Sequence, residues 1–268
     1  MYSNADYFVL IRIKFCKLAT EFKTTAFMCT VTYIPLENNN FVLTSNRDES
    51  PLRIPLAPDF YEIQGRNVLF PKDKDAGGTW IGVSDMNRVL CVLNGGFDRH
   101  VRKPSYRLSR GILVKELLVS DTIETTIRNY DFHDIEPFTL VIVDWSEKLR
   151  CTELVWDGEN AHIKEIKDSP TVWSSSTLFT QSMKVERKKW FEQFVLQNDL
   201  QPQDLLRFHL ETAPDNKEYG VIMDRGFVKT TSVTQITKSD DQVSMEFRDL
   251  SNGMVTTRSM PTMHSINE

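Results

Sequence analysis

Residues 28–49 constrain the fold more than any other part of this 268-residue chain. Two runs rich in β-branched and aromatic residues flank a polar cluster at 36–40, a pattern typical of a β-hairpin. A hairpin brings the start of its first strand next to the end of its second strand. The pairing register therefore decides which side chains meet at the open end.

Loop length fixes that register, and two loop lengths are compatible with the sequence. A five-residue loop pairs Pro35 with Phe41 and places Cys29 opposite Arg47. A four-residue loop places Cys29 opposite Asp48 instead. Directly opposed residues have Cβ atoms about 5 Å apart, so either register sets a thiol beside a charged group. A neighbouring arginine would favour the thiolate, which is the form that attacks.

Cys29 also follows a methionine, so removal of Met28 would leave it with a free α-amine. An α-amine titrates near ~8 and a free thiol near ~8.5, so the amine can act as the general base of its own thiol. A lone cysteine is more often a small apolar core residue. The preceding methionine and the opposing charge favour a catalytic or ligand-binding role for Cys29.

Three short motifs can be compared with known families: Met28-Cys29-Thr30, Ser45-Asn46-Arg47-Asp48-Glu49 and Gly77-Gly78-Thr79-Trp80. With these motifs the chain resembles the NRDE family, which includes the Transport and Golgi organisation proteins, from about residue 28 to the end. That family in turn is similar to the cysteine N-terminal nucleophile hydrolases of the choloylglycine hydrolase and penicillin V acylase type.

The resemblance implies roles for the second strand of the hairpin. In the similar hydrolases an arginine and an aspartate at this place steady the nucleophile and its amine, which implies these catalytic roles for Arg47 and Asp48. Asn46 and Glu49 are expected to position those two residues and to contact substrate. A surface ion pair is the alternative interpretation of the two charges.

A second hairpin, 79–94, supplies the other candidate residues. Its tight pairing sets Asn94 opposite Gly77 or Gly78. The interpretation is an oxyanion-hole donor, because amide hydrolysis needs N–H groups aimed at the developing negative charge. An asparagine in a turn is the alternative. Gly78 would let the backbone approach a substrate closely, and Trp80 is either a core residue or a substrate platform.

The chain departs from the family pattern at two places. Family members tend to show Ser-Asn before the long helix, whereas Ser176 stands there in place of an amide donor. Ser176 is assigned to substrate binding on this basis. Thr230-Thr231-Ser232 lacks the arginine that relatives show in the last third. If both positions assist hydrolysis in relatives, these departures put the activity in doubt.

The remaining pattern alternates groups of strands with groups of helices, joined mostly by hairpin-length connections. This predicts an α+β fold, a four-layer α/β/β/α sandwich of two mostly antiparallel sheets. A proline-rich surface loop is predicted for 51–75, with one short strand at 68–70. Helices are predicted from 108, near 121–129, at 180–197 and at 202–211. Further strands are predicted at 138–145, 150–156, 161–166, 219–223, 231–237, 243–248 and 255–258.

Composition limits the partners of the chain. A net charge of −5 gives no overall attraction to nucleic acid or to an anionic membrane, and no apolar run is long enough to span a bilayer. Four scattered cysteines suggest neither a zinc site nor a disulfide framework, which fits a cytoplasmic protein. We expect a small-molecule substrate or ligand, no cofactor and no metal. The oligomeric state stays open.

Residues 1–27 fit poorly with the rest, because Arg12 and Lys14 interrupt their apolar run as they would not in a signal peptide. They are an extension, a propeptide removed before Cys29, or the product of a mis-assigned start. A single domain is expected over 29–268.

The basic segment 99–110 is interpreted as a solvated approach to a helix or as a guide for a substrate's carboxylate or phosphate. The histidines have no partner recognisable from spacing.

Two functional hypotheses remain open. The first is a hydrolase of non-peptide C–N amide bonds with Cys29 as nucleophile. The second is a non-enzymatic binder or carrier of haem, acyl chains or other apolar metabolites, which the association of eukaryotic relatives with haem and lipid handling supports. A purely structural scaffold would leave the hairpin chemistry unexplained.

Overall fold

The structure is a computed structural model that describes residues 30–261. Within that range two antiparallel sheets face each other, and helices cover the outer side of both. The first sheet has six strands in the order β10 (Thr171–Ser174), β1 (Thr30–Pro35), β2 (Phe41–Glu49), β11 (Lys229–Ser239), β12 (Gln242–Asp249) and β13 (Val255–Pro261). The second sheet has seven strands in the order β3 (Pro55–Ile63), β4 (Arg66–Asp73), β5 (Ile81–Ser84), β6 (Arg88–Asn94), β7 (Phe138–Asp144), β8 (Arg150–Trp156) and β9 (Ala161–Ile166).

Four helices form the outer layers of the described part of the chain. α1 (Arg110–Leu118) packs on β5 and β6, and α2 (Ile123–Asn129) packs on α1. On the other side, α3 (Gln181–Gln197) lies against β10, and α4 (Pro202–Glu211) lies against β2 and β11. The predicted four-layer α/β/β/α sandwich is therefore confirmed.

Alternation along β2 divides its side chains between two layers. Phe41 and Leu43 join the core between the sheets, while Val42 packs under α3 and α4. All nine residues of β2 are buried, because neither face of this strand meets solvent. By the same alternation, Arg47 points between the sheets and Asn46 points toward the helices.

The hairpin has the five-residue register. Pro35 lies opposite Phe41, and the ladder continues to Thr30 opposite Asn46. Asn38 and Asn39 in the loop both have φ of 59°, a left-handed conformation that asparagine tolerates better than most residues. The sequence prediction about Cys29 lies outside the described residues.

The surface loop predicted over 51–75 is wrong. Most of this segment forms the β3–β4 hairpin, with Pro55 as the first residue of β3 and Pro58 inside a register shift. β3 is an edge strand, and proline is tolerated at edges, strand starts and bulges because no ladder hydrogen bond is lost there. The prolines therefore hid a strand rather than excluding it.

The strand predicted at 219–223 is also wrong. Val221 and Met223 are buried beneath the helical layer, which explains the apolar pattern. Side chains of Arg187 and Asn46 donate to the carbonyl groups of residues 219–221. The Met223 carbonyl accepts the backbone N–H of Thr230 in β11, a single contact that does not continue into a strand. Two smaller differences concern β10, which was not predicted, and α1, which begins at Arg110 after the N-cap Ser109 rather than at 108.

Candidate active site

A cavity of about 470 Å³ lies where one end of the two sheets meets the loops that follow β2, β4 and β6. Five of the candidate residues from the sequence analysis line this cavity. These are Arg47, Glu49, Gly78, Trp80 and Asn94. Asn46, Asp48 and Ser176 do not line it, and Cys29 is not among the described residues.

Arg47 is held on several sides within the cavity wall. Its guanidinium donates to Asp73 Oδ2 at 2.7 Å and to Thr231 Oγ1 at 3.0 Å. The same group lies over the Trp80 ring, with Cζ 4.8 Å from the ring centroid. Only 3% of Arg47 is exposed, so its charge acts in a poorly solvated environment. Burial lowers the pKa of Arg47, against the opposing influence of Glu49 and Asp73, but an arginine stays protonated.

Asp73 connects Arg47 to the glycine loop that follows β4. Its Oδ2 also pairs with Arg53 at 2.9 Å, and its Oδ1 accepts the backbone N–H of Ala76 at 2.8 Å. Burial alone would raise the pKa of Asp73. The Ala76 hydrogen bond and the two arginines outweigh burial, so the pKa is lowered and the carboxylate is ionised at neutral pH.

Glu49 behaves in the opposite way although it shares the same arginines. It lies 3.2 Å from Arg53 and 3.8 Å from Arg47, and it is fully buried. Burial raises its pKa to about 7, because the two arginines offset only part of the desolvation. Of the two carboxylates that share these arginines, Asp73 is therefore firmly ionised and Glu49 titrates near neutrality.

Asn46 belongs to the helical side of β2. Its Nδ2 donates to the carbonyl groups of His209 and Val221, so its Oδ1 is turned toward His209 Nδ1. That orientation makes Nδ1 the donor, and His209 Nε2 then accepts the hydroxyl of Thr32 at 2.8 Å. Burial first, and Arg187 second, lower the pKa of His209 to about 3, so this histidine is neutral. The group fixes α4 to β1 and β2.

Asp48 is buried on the same side of β2, opposite Thr230 of β11. The pairing of β2 with β11 is irregular between Thr230 and Ser232. At that bulge Thr231 has no opposing residue in the pairing of β11 with β2. Its hydroxyl accepts a hydrogen bond from the Arg47 guanidinium and donates one to the Arg47 carbonyl. The position where relatives were expected to carry an arginine is thus a hydrogen-bonding partner of Arg47.

Asn94 ends β6 and is 4% exposed. Ser175 Oγ donates to its carbonyl at 2.8 Å, and Ser174 pairs with Thr30 at the start of β1. Asn94 is thereby tied to the strand that begins next to Cys29. Within residues 30–261, no acceptor lies within hydrogen-bond distance of Asn94 Nδ2. An unfilled buried donor beside a cavity is suited to an oxyanion.

Gly78 and Trp80 approach the cavity from the loop before β5. A Cβ on Gly78 would lie 3.1 Å from the Gly111 Cα, so the double glycine permits close contact with the start of α1. Trp80 is 5% exposed, and its Nε1 has no acceptor among the described residues. It is both a buried residue and part of the cavity wall.

Ser176 lies behind the site rather than in it. Its hydroxyl donates to the carbonyl of Asp98, and it packs so closely on Gly95 that a Cβ there would lie 2.2 Å from its Oγ. Arg187 from α3 occupies the nearby helical layer, where it donates to the hydroxyl groups of Thr30 and Ser174. Ser176 therefore supports the Asn94 turn.

Several residues of this site carried no signal in the sequence. Asp73 and Arg53 both fell inside the loop predicted over 51–75, where no motif marked them. His209 and Arg187 sit on amphipathic helices whose pattern predicts burial of apolar residues only. Asp73, Arg187 and His209 are too far from the hairpin along the chain for a single sequence to show contact. Arg53 is close, four residues after Glu49, but no motif pointed to it.

The family model of Transport and Golgi organisation 2 matches residues 28–259. The chain belongs to this family. The NRDE-type resemblance drawn from the hairpin motifs is thereby confirmed. Among proteins with curated descriptions, none matches this sequence.

Solved structures of similar architecture include a bile acid hydrolase, an acylase and an acid amidase. A variant of the conjugated bile acid hydrolase from Clostridium perfringens has a TM-score of 0.51 and 11% identity, covering 87% of this chain and 92% of that chain. Penicillin V acylase from Agrobacterium tumefaciens has 0.47 and 13%, covering 87% and 86%. The Caenorhabditis elegans orthologue of N-acylethanolamine-hydrolyzing acid amidase has 0.48 and 12%, covering 78% and 92%. The first similarity shows that this chain shares its fold with the conjugated bile acid hydrolase.

No helix within residues 30–261 has the length and apolar character needed to cross a bilayer. In the same range no group of three or more histidine, cysteine, aspartate or glutamate side chains is arranged to hold a metal ion.

Proposed function

We propose that the chain is a hydrolase of non-peptide C–N amide bonds with Cys29 as its N-terminal nucleophile. The observation that carries this proposal is the buried Asn94 amide, whose Nδ2 has no acceptor in the described structure and whose backbone is tied to the start of β1. Arg47 also supports it. Asn46 pairs with Thr30, the first residue of β1, and the buried charge of Arg47 belongs to the next residue of β2. The charged walls of the cavity favour this function over a carrier of apolar metabolites.

The proposed reaction has two stages. The Cys29 α-amine takes the thiol proton, the sulfur attacks the carbonyl carbon, and Asn94 Nδ2 donates to the oxygen that becomes negative. Collapse breaks the C–N bond, and the amine proton moves to the leaving nitrogen. Water then adds to the thioester, loses a proton to the α-amine and releases the acid, which restores the thiol. Arg47 would favour the thiolate, and Asp48 would steady the α-amine.

The proposal requires a mature chain that begins at Cys29. Intact mass of protein from its native host should correspond to the loss of residues 1–28. A stable chain that retains those residues would have no α-amine at Cys29, and the mechanism would fail as written.

Turnover can then be tested with a panel of acyl-amide reporters. Asn94→Ala should lower turnover by ~100-fold or more, because one oxyanion donor contributes about 3 kcal/mol to the transition state. Affinity should stay within a few-fold, since the donor is needed mainly when charge develops. Asn129→Ala, at an exposed position of α2, is the matched control. Absence of turnover in the trimmed wild type, with tight binding of haem or an acyl ligand unaffected by Cys29→Ala, would favour the carrier.

A further inference from the structure

One wall of the cavity includes several hydrogen-bond donors that have no acceptor among residues 30–261. We name residues 102–111 the donor wall; Arg102, Tyr106 and Ser109 are among its members that line the cavity. Arg102 reaches a described partner only through Nε, 3.5 Å from Glu136. The hydroxyl groups of Tyr106 and Ser109 each accept a backbone N–H, which leaves their protons available. In the described structure these donors therefore face the cavity unused.

The carboxylate near this wall already has basic side chains as partners. Glu136 accepts from Arg110 at 3.1 Å and from His100 at 3.3 Å, in addition to Arg102. Burial would raise its pKa, but the His100 hydrogen bond and the two arginines outweigh burial, so the pKa is lowered. One ionised carboxylate thus faces two guanidinium groups, which leaves a positive surplus at the wall.

Backbone and core groups add to the same preference. α1 begins at Arg110 within the donor wall, so its positive end is directed at this part of the cavity. On the other walls, Asn94 Nδ2 and Trp80 Nε1 are buried N–H groups without an acceptor among the described residues. A ligand that fits these surroundings must bring acceptors.

A single carboxylate opposes that preference. Asp75 lines the cavity and is exposed, and no cation of the described residues forms an ion pair with it. The other two acids on that side, Glu49 and Asp73, are paired with arginines. Asp75 would repel an anion nearby and so direct the anionic end of a ligand toward the donor wall.

We infer that the donor wall binds an oxyanion headgroup, a carboxylate or a phosphate, at one end of the ligand that occupies the cavity. If the proposed function holds, this makes the substrate an acidic amphiphile whose scissile amide reaches Asn94 while its headgroup contacts Arg102. Binding of the headgroup needs no chemistry at Cys29 and can be tested separately.

The test uses calorimetry to measure the affinity of the full-length Cys29→Ala protein for three probes. The probes have alkyl chains of the same length and differ in their headgroup. Decyl phosphate and decanoate should bind at least about tenfold more tightly than decanol, since a charge-assisted hydrogen bond adds roughly that factor. The tighter of the two acids identifies the headgroup. Arg102→Gln should remove the advantage of both acids, and Asp75→Asn should increase it several-fold.

Arg99→Gln is the matched control, because it makes the same change of charge in the same segment but outside the cavity lining. Equal binding of decanol, or an equal loss with Arg99→Gln, would overturn the inference. Turnover of uncharged amides without any preference for acids would overturn it while leaving the proposed hydrolase intact. Tight binding of acids without turnover of any amide would support the inference and oppose the hydrolase.

Discussion

The two faces of β2 differ sharply although they are built from consecutive residues. The inner face presents Arg47 and Glu49 to a cavity with a network of charges. The outer face presents Asn46 to a neutral histidine and two backbone carbonyls under α4. Because successive side chains of a strand point to opposite faces, one short motif can place charged residues in the cavity and supporting residues under the helices. Substitutions at neighbouring positions should separate chemistry from stability.

The largest effect is expected on the inner face. Arg47→Ala should lower turnover of a responsive amide by about 100-fold or more and slow alkylation of Cys29 by iodoacetamide, because in the proposed mechanism the charge of Arg47 favours the thiolate. Unfolding free energy should also fall by about 3 kcal/mol, since Asp73 loses a buried partner. Cys91, whose burial raises its pKa to about 12, is the internal reference for alkylation. Unchanged labelling of Cys29 would place Arg47 outside the reaction.

On the outer face the expected loss is one of stability. Asn46→Ala removes two hydrogen bonds to buried carbonyls and one from His209, so unfolding free energy should fall by about 2–3 kcal/mol in urea titrations. Turnover per folded molecule should remain within a few-fold of wild type. Thr32→Val removes only the hydroxyl that binds His209 and should cost about 1 kcal/mol. A loss of turnover like that of Arg47→Ala would abolish the distinction between the two faces.

A further effect concerns Glu49 and the dependence of stability on pH. Its pKa near 7 lies above the ~4.3 of an unfolded chain, so the folded state holds the proton more tightly. This contribution is present below about pH 4.3 and is lost as pH rises through 7. Relative to Glu49→Gln, wild type should lose roughly 3 kcal/mol of unfolding free energy between pH 4.5 and 7.5.

Asp73 provides the comparison of opposite sign for the same measurement. Its pKa is lowered in the folded state, so its contribution is present above the unfolded pKa and is lost as pH falls. Asp73→Asn should therefore reduce stability at neutral pH and have less effect in acid. If the difference in unfolding free energy from wild type changed with pH in the same direction for Glu49→Gln and Asp73→Asn, the two carboxylates would not differ in charge state as assigned.

Local patterns were sufficient for the hairpin and for most strands and helices. The Pro35–Phe41 pairing is one of the two registers that the loop length allowed, and the burial of Arg47 and Asp48 on opposite faces follows from alternation. Asn94 could be placed near the glycine loop because a tight turn joins β5 to β6. These inferences need only neighbours in sequence.

Long-range contacts were beyond such reasoning. Asp73 approaches Arg47 from the other sheet, and His209 approaches Asn46 from a helix 163 residues away along the chain. Neither contact depends on a short motif. The patterns at 51–75 misled because a proline at an edge strand looks the same in sequence as a proline in a loop.

Pro55 and Pro58 have a consequence for how molecules of this chain meet one another. An exposed edge strand is ordinarily a template onto which another chain can add, and long flat edges of this kind lead to aggregation. β3 lacks a backbone N–H at both prolines and is bent by an irregular register beside the second. The two residues that conceal β3 in the sequence thus also make it a poorer template for a strand of a second molecule.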